Sequence, residues 1–205
     1  MSKPKTAKRL FSLAPVQFRD SAIEGRGVFA RRRFEPGDVV TPYAPQQRRL
    51  AIDDPEANAA AQTKFTLVSE DLWVIVPDTS VPGGWLCNHS CAPNAAIYSD
   101  GAGRIQCERP IHPGEEVTIF YGWVTLNEPE RDPCRCGAKA CRGFINFDVS
   151  SDDARHCESD TSEGRAFRER FQAYADYLQS IGQPQVLNGI ASKLAQLRTQ
   201  LGQAR

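Results

Sequence analysis

Three cysteines near residue 140 have a spacing that suits a metal ion. Cys134, Cys136 and Cys141 place three thiols within eight residues. A Cys-x-Cys pair is too close for an unstrained disulfide, and the odd total of 7 cysteines cannot pair completely within the chain. Structural zinc takes four ligands in a tetrahedron, so the spacing predicts one more cysteine from elsewhere in the fold. The candidates are Cys87, Cys91, Cys107 and Cys157.

Residues 88–94, with the sequence Asn-His-Ser-Cys-Ala-Pro-Asn, bring short hydrogen-bonding side chains together beside a rigid proline. Such a loop can hold a polar ligand through its amide and backbone groups. Taken alone, the same composition is explained equally well by an Asx-rich turn that satisfies its own hydrogen bonds. The segment is therefore a candidate ligand-binding loop.

Two further segments place glycine turns beside apolar runs. Gly25 and Gly27 flank Arg26 and permit a positive φ or a close approach to a ligand, although a tight hairpin requires the same residues. Residues 114–123 begin with Gly-Glu-Glu and continue as a strand pattern that ends at Tyr121. By itself this pattern predicts only a turn followed by a strand.

The composition excludes several classes of protein. A chain of 205 residues with 40% apolar and 24% charged residues fits one globular domain plus an appendage, unlike a disordered or collagen-like chain. The 25 basic residues balance the 25 acidic residues, which argues against a dedicated nucleic-acid-binding protein. No window approaches the roughly 18 apolar residues of a membrane span, so we expect a soluble protein without a cleaved signal, in a reducing compartment.

Charge is unevenly distributed along this neutral chain. Residues 1–33 carry nine basic side chains, whereas residues 148–163 carry six acidic side chains against Arg155. The acidic stretch is typical of a solvated linker. Attraction of a basic partner, or folding over the basic segment, is the alternative.

The pattern between about residues 18 and 147 predicts an irregular, mostly β domain. Short runs of β-forming residues alternate there with Gly, Pro and Asp. They cover residues 39–43, 65–68, 72–76, 104–108 and 116–121. The fold class is therefore mainly β with C-terminal helices, an α+β arrangement.

Two apolar stripes at the C-terminus predict a helical hairpin over residues 163–202. The first stripe consists of Phe167, Phe171, Tyr174, Leu178 and Ile181, at helical spacing. The second consists of Leu187, Ile190, Leu194, Leu197 and Leu201. Two heptads per helix are short for a coiled coil, so packing against the β domain is favoured over a dimer seam.

Taken in order, the motifs resemble the SET-domain protein lysine methyltransferases that carry a post-SET zinc segment. The motifs are Gly-x-Gly-Val-Phe-Ala from residue 25, Asn-His-Ser-Cys-x-Pro-Asn from residue 88, Gly-Glu-Glu-Val-Thr-x-x-Tyr-Gly from residue 114, and Cys-x-Cys-Gly-x3-Cys-Arg-Gly from residue 134. Each motif is modest, but the ordered set is specific. The resemblance covers about residues 18–147 and implies a β-clip with a knot-like active site. Together with the charge pattern and the helical stripes, which lie outside the resemblance, it divides the chain into a basic segment (1–17), a SET domain (18–124), a post-SET zinc segment (125–147), an acidic linker (148–162) and the helical hairpin (163–205).

The resemblance also implies roles for individual residues. Tyr121 would be the catalytic tyrosine, and Cys91 would join Cys134, Cys136 and Cys141 in a closed, structural zinc site. S-adenosylmethionine would be held by Gly25, Arg26, Gly27, Asn88, His89 and Phe144. The lysine channel would be lined by Tyr98, Ile119, Phe120 and Trp123, since aromatic walls suit the stem and cationic head of lysine.

The implied reaction is methyl transfer from a sulfonium to a lysine amine, which needs alignment and a deprotonated nucleophile rather than a catalytic metal. The competing interpretations are a SET-like module that binds a peptide without modifying it, and methylation of a small amine. The expected partner is a protein or peptide with a target lysine, with no direct contact to nucleic acid or membrane. A dimer through the C-terminal helices is possible. The expected location is cytoplasmic, with nuclear or host-exported alternatives.

Overall fold

The computed structural model describes residues 15–51, 54–60, 67–68, 73–98, 102–122, 124–126, 132–149 and 157–180. The chain divides into two compact units. The first unit contains residues 1–88 and 93–119, and the second contains residues 89–92 and 120–205. Within the described ranges, no helix is both long and apolar enough to cross a membrane.

The first unit is built from short strands in three sheets. In chain order its elements are β1 (Val16–Asp20), β2 (Arg26–Ala30), β3 (Val39–Pro42), β4 (Gln47–Ala51), α1 (Pro55–Ala60), β5 (Leu67–Val68), β6 (Trp73–Pro77), a 3₁₀ turn (Gly84–Leu86), β7 (Asn88–His89), β8 (Ala95–Tyr98), β9 (Arg104–Cys107) and β10 (Glu116–Ile119). The sheet orders are β1-β2-β10-β7, β3-β9-β8 and β4-β6-β5. The boundary between the units falls within β7, after Asn88.

Antiparallel pairing fixes the core of the first unit. β1 pairs with β2 from Val16↔Ala30 to Asp20↔Arg26, and Val28 of β2 faces Val117 of β10. Both Val28 and Val117 are completely buried. Burial of one such side chain contributes about 1.5–3 kcal/mol, so this register places the apolar side of the glycine-containing strand β2 firmly in the core.

The second unit contains little regular structure within its described residues. Strands β11 (Val124–Leu126) and β12 (Phe147–Val149) pair in parallel. The segment between them is described from residue 132, and until β12 it forms only the isolated bridge between Pro133 and Phe144. Helix α2 (Ser162–Ser180) follows. Thr161 caps this helix, because its Oγ1 accepts a hydrogen bond from the Gly164 N–H at 3.2 Å.

The predicted fold class is confirmed: the described chain is mainly β with a C-terminal helix. The five predicted strand runs correspond to β3, β5, β6, β9 and β10. Helix α2 confirms the first helix, with Phe167, Tyr174 and Leu178 buried as the first stripe predicts. The second helix lies outside the described residues. Asp148 and Val149, which the predicted linker includes, belong to β12 because they continue its pairing with β11.

Candidate active site and metal centre

Glycine is required at residues 25 and 27 for different reasons: Gly25 has a positive φ, whereas Gly27 has no room for a side chain. Gly25 has a φ of +47°, in the left-handed region that L side chains rarely adopt. A Cβ on Gly27 would lie 2.2 Å from Oε1 of Glu116. The two glycines therefore shape the turn around Arg26 and let a carboxylate approach the backbone of β2.

Glu116 ties this turn to the Asn88 side chain. Its two carboxylate oxygens accept hydrogen bonds from the Ser21 hydroxyl at 2.8 and 2.9 Å, and Oε1 accepts another from Asn88 Nδ2 at 2.9 Å. Asn88 Nδ2 also lies 3.0 Å from the carbonyl oxygen of Glu24 and 3.3 Å from that of Arg26. Asn88 is buried, and its partner Glu116 and the Ser21 side chain are half-buried. This network orders the glycine-rich turn from within the first unit.

The structure brings four of the predicted thiols together in the second unit. The sulfur atoms of Cys91, Cys134, Cys136 and Cys141 all lie within 4.8 Å of one another. Cys91 Sγ is 3.9 Å from Cys134 Sγ and 4.0 Å from Cys141 Sγ. Tetrahedral zinc with Zn–S bonds of about 2.3 Å requires sulfur atoms about 3.8 Å apart, so these four residues fit such an ion.

The backbone around the cluster favours thiolate at Cys136. Burial opposes ionisation of this side chain, but hydrogen bonds from the N–H groups of Cys91 and Ala138, together with those from the Cys134 and Cys141 thiols, lower the Cys136 pKa to about 7. The Cys91 N–H lies 3.4 Å from the Cys136 sulfur. A further N–H, that of Gly143, lies 3.3 Å from the Cys141 sulfur. Such outer hydrogen bonds orient metal-binding thiolates.

His89 connects the cysteine cluster to Tyr121. Its Nδ1 accepts a hydrogen bond from the Tyr121 backbone N–H at 3.2 Å, and its Nε2 lies 3.5 Å from Cys91 Sγ. Burial, followed by the positive charge of Arg142, lowers the His89 pKa to about 4. The ring is therefore neutral at pH 7, and because Nδ1 accepts, Nε2 carries the proton and donates it toward the Cys91 sulfur. One side chain thus positions both the predicted catalytic residue and a cluster cysteine.

Aromatic rings surround this histidine. The His89 ring centre lies 5.0 Å from that of Phe120 and 5.4 Å from that of Tyr121, with both pairs tilted. Phe120 is buried, and Tyr121 is partly exposed. Phe144, a predicted cofactor contact in the same unit, is half-buried beneath the guanidinium of Arg142 at 4.4 Å. The second unit therefore groups His89, Phe120 and Tyr121 around one point, where a tyrosine hydroxyl could align a reacting group.

The remaining predicted channel residues have different surroundings. Ile119 is buried at the end of β10. Tyr98 donates its hydroxyl to Glu108 at 2.9 Å and carries Arg104 over its ring. Trp123 lies outside the described residues. For these positions, as for the predicted cofactor contacts, the role stays a prediction.

Three cysteines, Cys87, Cys107 and Cys157, lie outside the cluster. Cys87 is buried, and burial raises the pKa of its thiol. Cys107 donates a hydrogen bond through its Sγ to the Arg109 carbonyl at 2.9 Å. Cys157 is half-buried just before α2. None of the three belongs to the cluster of potential metal ligands.

Sequence reasoning missed the roles of Glu116, Ser21 and Tyr177. The ring of Tyr177 lies 6.2 Å from that of Phe120. Tyr177 stands three residues after the stripe residue Tyr174, and this helical spacing was the available signal. The second glutamate of the Gly-Glu-Glu turn gave no comparable signal, because Ser21 is 95 residues away.

A four-thiol cluster beside a buried histidine, and a tyrosine two residues after the end of strand β10, form the candidate active site of this β-rich protein. Residues 25–122 match the model of the SET domain family. The predicted resemblance to SET domains is therefore confirmed over these residues.

The curated relatives of this chain that follow are all named histone-lysine N-methyltransferases. A "Histone-lysine N-methyltransferase, H3 lysine-4 specific" of Cryptococcus neoformans is 34% identical over 143 residues, covering 64% of this chain and 10% of the relative. A protein of the same name from Neurospora crassa is 33% identical over 144 residues, covering 64% of this chain and 11% of the relative. Human "Histone-lysine N-methyltransferase 2B" is 31% identical over 134 residues, which cover 62% of this chain and 5% of the human protein. The chain thus spans about a tenth or less of the length of these three relatives.

Proposed function

We propose that this protein is an S-adenosylmethionine-dependent protein-lysine N-methyltransferase. The observation that carries the proposal is the placement of Tyr121, whose backbone N–H is held by a neutral, buried His89 that also reaches the cysteine cluster. The SET domain match and the names of the relatives support the same activity. A tyrosine whose backbone is held in place suits a reaction whose barrier depends on alignment.

In this proposal Cys91, Cys134, Cys136 and Cys141 hold structural zinc. All four thiols point to one centre, so no position is open for water or substrate and the metal takes no part in the chemistry. Its effect is to hold the segment from Cys134 to Phe144 against the His89 loop, both within the second unit.

Gly25, Arg26, Gly27, Asn88, His89 and Phe144 are proposed to hold S-adenosylmethionine. Support for this cofactor site comes from the hydrogen bonds of the Asn88 side chain. Its Nδ2 donates to Glu116 and to the carbonyl oxygens of Glu24 and Arg26, whereas no hydrogen bond to its Oδ1 is found among the described residues. This oxygen is an acceptor suited to the ammonium of an amino-acid-like group. When bound, the cofactor supplies a methyl group on a sulfonium.

The residues of the chain then prepare the lysine amine. A free lysine has a pKa near about 10.4, and burial of its ammonium in an apolar, aromatic channel lowers that value, so the proton passes to water and the lone pair is freed. The Tyr121 hydroxyl orients the amine by hydrogen bonding, since a phenol is protonated at neutral pH. His89 holds the Tyr121 backbone, and Phe120 packs against His89 so that the histidine keeps this orientation.

The proposed substrate is a protein or peptide with an accessible lysine. The relatives are named for histone lysine, and several for lysine 4 of histone H3, so histone H3 is the first protein to test. A peptide-binding module without turnover is the alternative function.

The experiment combines isothermal titration of the zinc-loaded protein with S-adenosylmethionine and labelled methyl transfer onto histone H3 and a mixed protein and peptide library. We expect saturable cofactor binding and label on lysine. Binding of cofactor and of a library peptide, without label on that peptide, would favour the binding module. Label on a small amine and on no lysine would favour the small-amine alternative.

A further inference from the structure

Helix α2 lies beyond the residues that match the SET domain model, yet its apolar face contacts the candidate active site within the second unit. The match ends at residue 122, and α2 begins at Ser162. Tyr174 and Leu178 are 4% and 0% exposed, so this face is packed rather than solvated. The neighbouring rings of Tyr174 and Tyr177 lie nearly parallel, with centres 6.2 Å apart.

Arg142 of the cysteine segment anchors this face. Its guanidinium carbon lies 4.4 Å from the ring centre of Tyr174 and 5.0 Å from that of Tyr177, both on α2. The same carbon lies 4.4 Å from the ring of Phe144, beside the cluster. A cation over an aromatic ring contributes about 0.5–2 kcal/mol, and three rings share this one. Arg142 directly follows the cluster residue Cys141, so the arginine joins the metal centre to the helix.

From this anchor, Tyr177 reaches the active site. Its ring packs on Phe120, and Phe120 packs on His89, which holds the backbone N–H of Tyr121. Phe120 is also the residue directly before Tyr121. A ring at Tyr177 therefore restricts the side chain and backbone that carry the proposed catalytic hydroxyl.

We propose that Tyr177 is a positioning residue for methyl transfer: helix α2, docked on the cysteine segment through Arg142, supplies a ring that holds Phe120 and thereby Tyr121 in place. This inference rests on the proposed function and adds to it a contribution from outside the SET domain match. The ring of Tyr177 contacts Phe120, which is not among the proposed cofactor-binding residues, and it reaches the proposed cofactor-binding residue His89 through Phe120. The expected signature is therefore a loss of kcat that exceeds any loss of cofactor affinity.

The test compares Tyr177→Ala and Tyr177→Phe with a matched control, Phe171→Ala, in the full chain. Phe171 is a half-buried ring on the same helix, and it stacks on Phe167 at 5.9 Å. We expect Tyr177→Ala to lower kcat about tenfold or more, equal to about 1.4 kcal/mol of barrier, with the KM for S-adenosylmethionine within about twofold. Tyr177→Phe keeps the ring and should restore kcat to within about threefold.

Hydrogen exchange of the Tyr121 amide supplies a readout that needs no turnover. Tyr177→Ala should speed exchange of the Tyr121 amide, although its hydrogen-bond partner His89 is not mutated. Phe171→Ala should leave the Tyr121 amide protected. Equal kcat and equal amide exchange in Tyr177→Ala and Phe171→Ala would overturn the proposal. If Tyr177→Ala does not fold, Arg142→Lys takes its place, because lysine keeps the positive charge but cannot stack a planar group on the rings of α2. The kcat and the exchange of the Tyr121 amide are then compared with those of Phe171→Ala. A wild-type protein that transfers no methyl group would contradict the proposed function, whereas the amide exchange would still support or overturn the coupling.

Discussion

The two units hold their functional residues by different physical means. In the first, antiparallel strands bury Val28 and Val117, and a carboxylate network fixes the turn at Gly25. In the second, the described segment 132–146 has no strand or helix, and four thiols and stacked rings take their place. We therefore expect the first unit to keep its order through its own core, and the second to depend on helix α2 and on the metal ion that we propose for the four thiols.

The largest expected effect comes from breaking the metal centre. Cys136→Ser should abolish stoichiometric metal binding and remove hydrogen-exchange protection from the second unit while the sheets of the first unit stay protected. Structural zinc contributes about 10–16 kcal/mol in small zinc-finger peptides, far more than any single side-chain contact. Metal analysis and hydrogen exchange on the same sample measure both effects.

The matched control is Cys157→Ser, the same substitution in the same unit but outside the cluster. It should keep the metal and the protection. Full protection of residues 132–146 in metal-free Cys136→Ser would show that the second unit orders itself without the ion, and the contrast between the units would be lost.

A smaller effect is expected from the carboxylate network of the first unit. Glu116→Leu removes the acceptor of the Ser21 and Asn88 hydrogen bonds at similar volume, and hydrogen bonds to a charged group are each worth about 1.5–3 kcal/mol. We expect S-adenosylmethionine affinity to fall about tenfold or more, with metal content unchanged. Calorimetric titration measures the affinity.

Glu115→Leu is the control, because Glu115 bonds Asn94 and Arg109 rather than Asn88. It should cost stability without a comparable loss of cofactor affinity. Glu116→Gln, which keeps one acceptor oxygen, should fall between wild type and Glu116→Leu. If Glu116→Leu and wild type bound S-adenosylmethionine with equal affinity, the Glu116 hydrogen bonds would have no part in cofactor binding.

The smallest expected effect is at the start of α2. Thr161→Ala removes the cap on the Gly164 N–H and should destabilise the helix by about 1 kcal/mol. Thr161→Ser keeps a hydroxyl and should behave as wild type. Hydrogen exchange along the first turn of α2 measures the difference; no change in Thr161→Ala would mean that packing alone holds this end.

The sequence predicted the elements better than the contacts between them. Short runs of β-forming residues located β9 and β10, and the stripe of Phe167, Tyr174 and Leu178 identified the buried face of α2. Periodicity states which face is buried but not what covers it, so the Phe120–Tyr177 contact was not predicted.

The candidate site shows the same limit. Local spacing grouped Cys134, Cys136 and Cys141, but only the family resemblance singled out Cys91, 43 residues from Cys134. The Ser21–Glu116 bond spans 95 residues and has no local pattern. Long-range hydrogen bonds depend on strand register, which the composition of single strands does not encode.

The most direct test of the central claim is labelled methyl transfer by zinc-loaded wild-type protein and by Tyr121→Phe, with cofactor affinity measured on both. Removal of one positioning hydroxyl should lower the rate of transfer to lysine about 100-fold or more, while S-adenosylmethionine affinity and hydrogen-exchange protection stay at wild-type values. An unchanged rate of transfer in Tyr121→Phe would contradict the account, because the hydroxyl of the tyrosine whose backbone His89 holds would then have no part in the reaction.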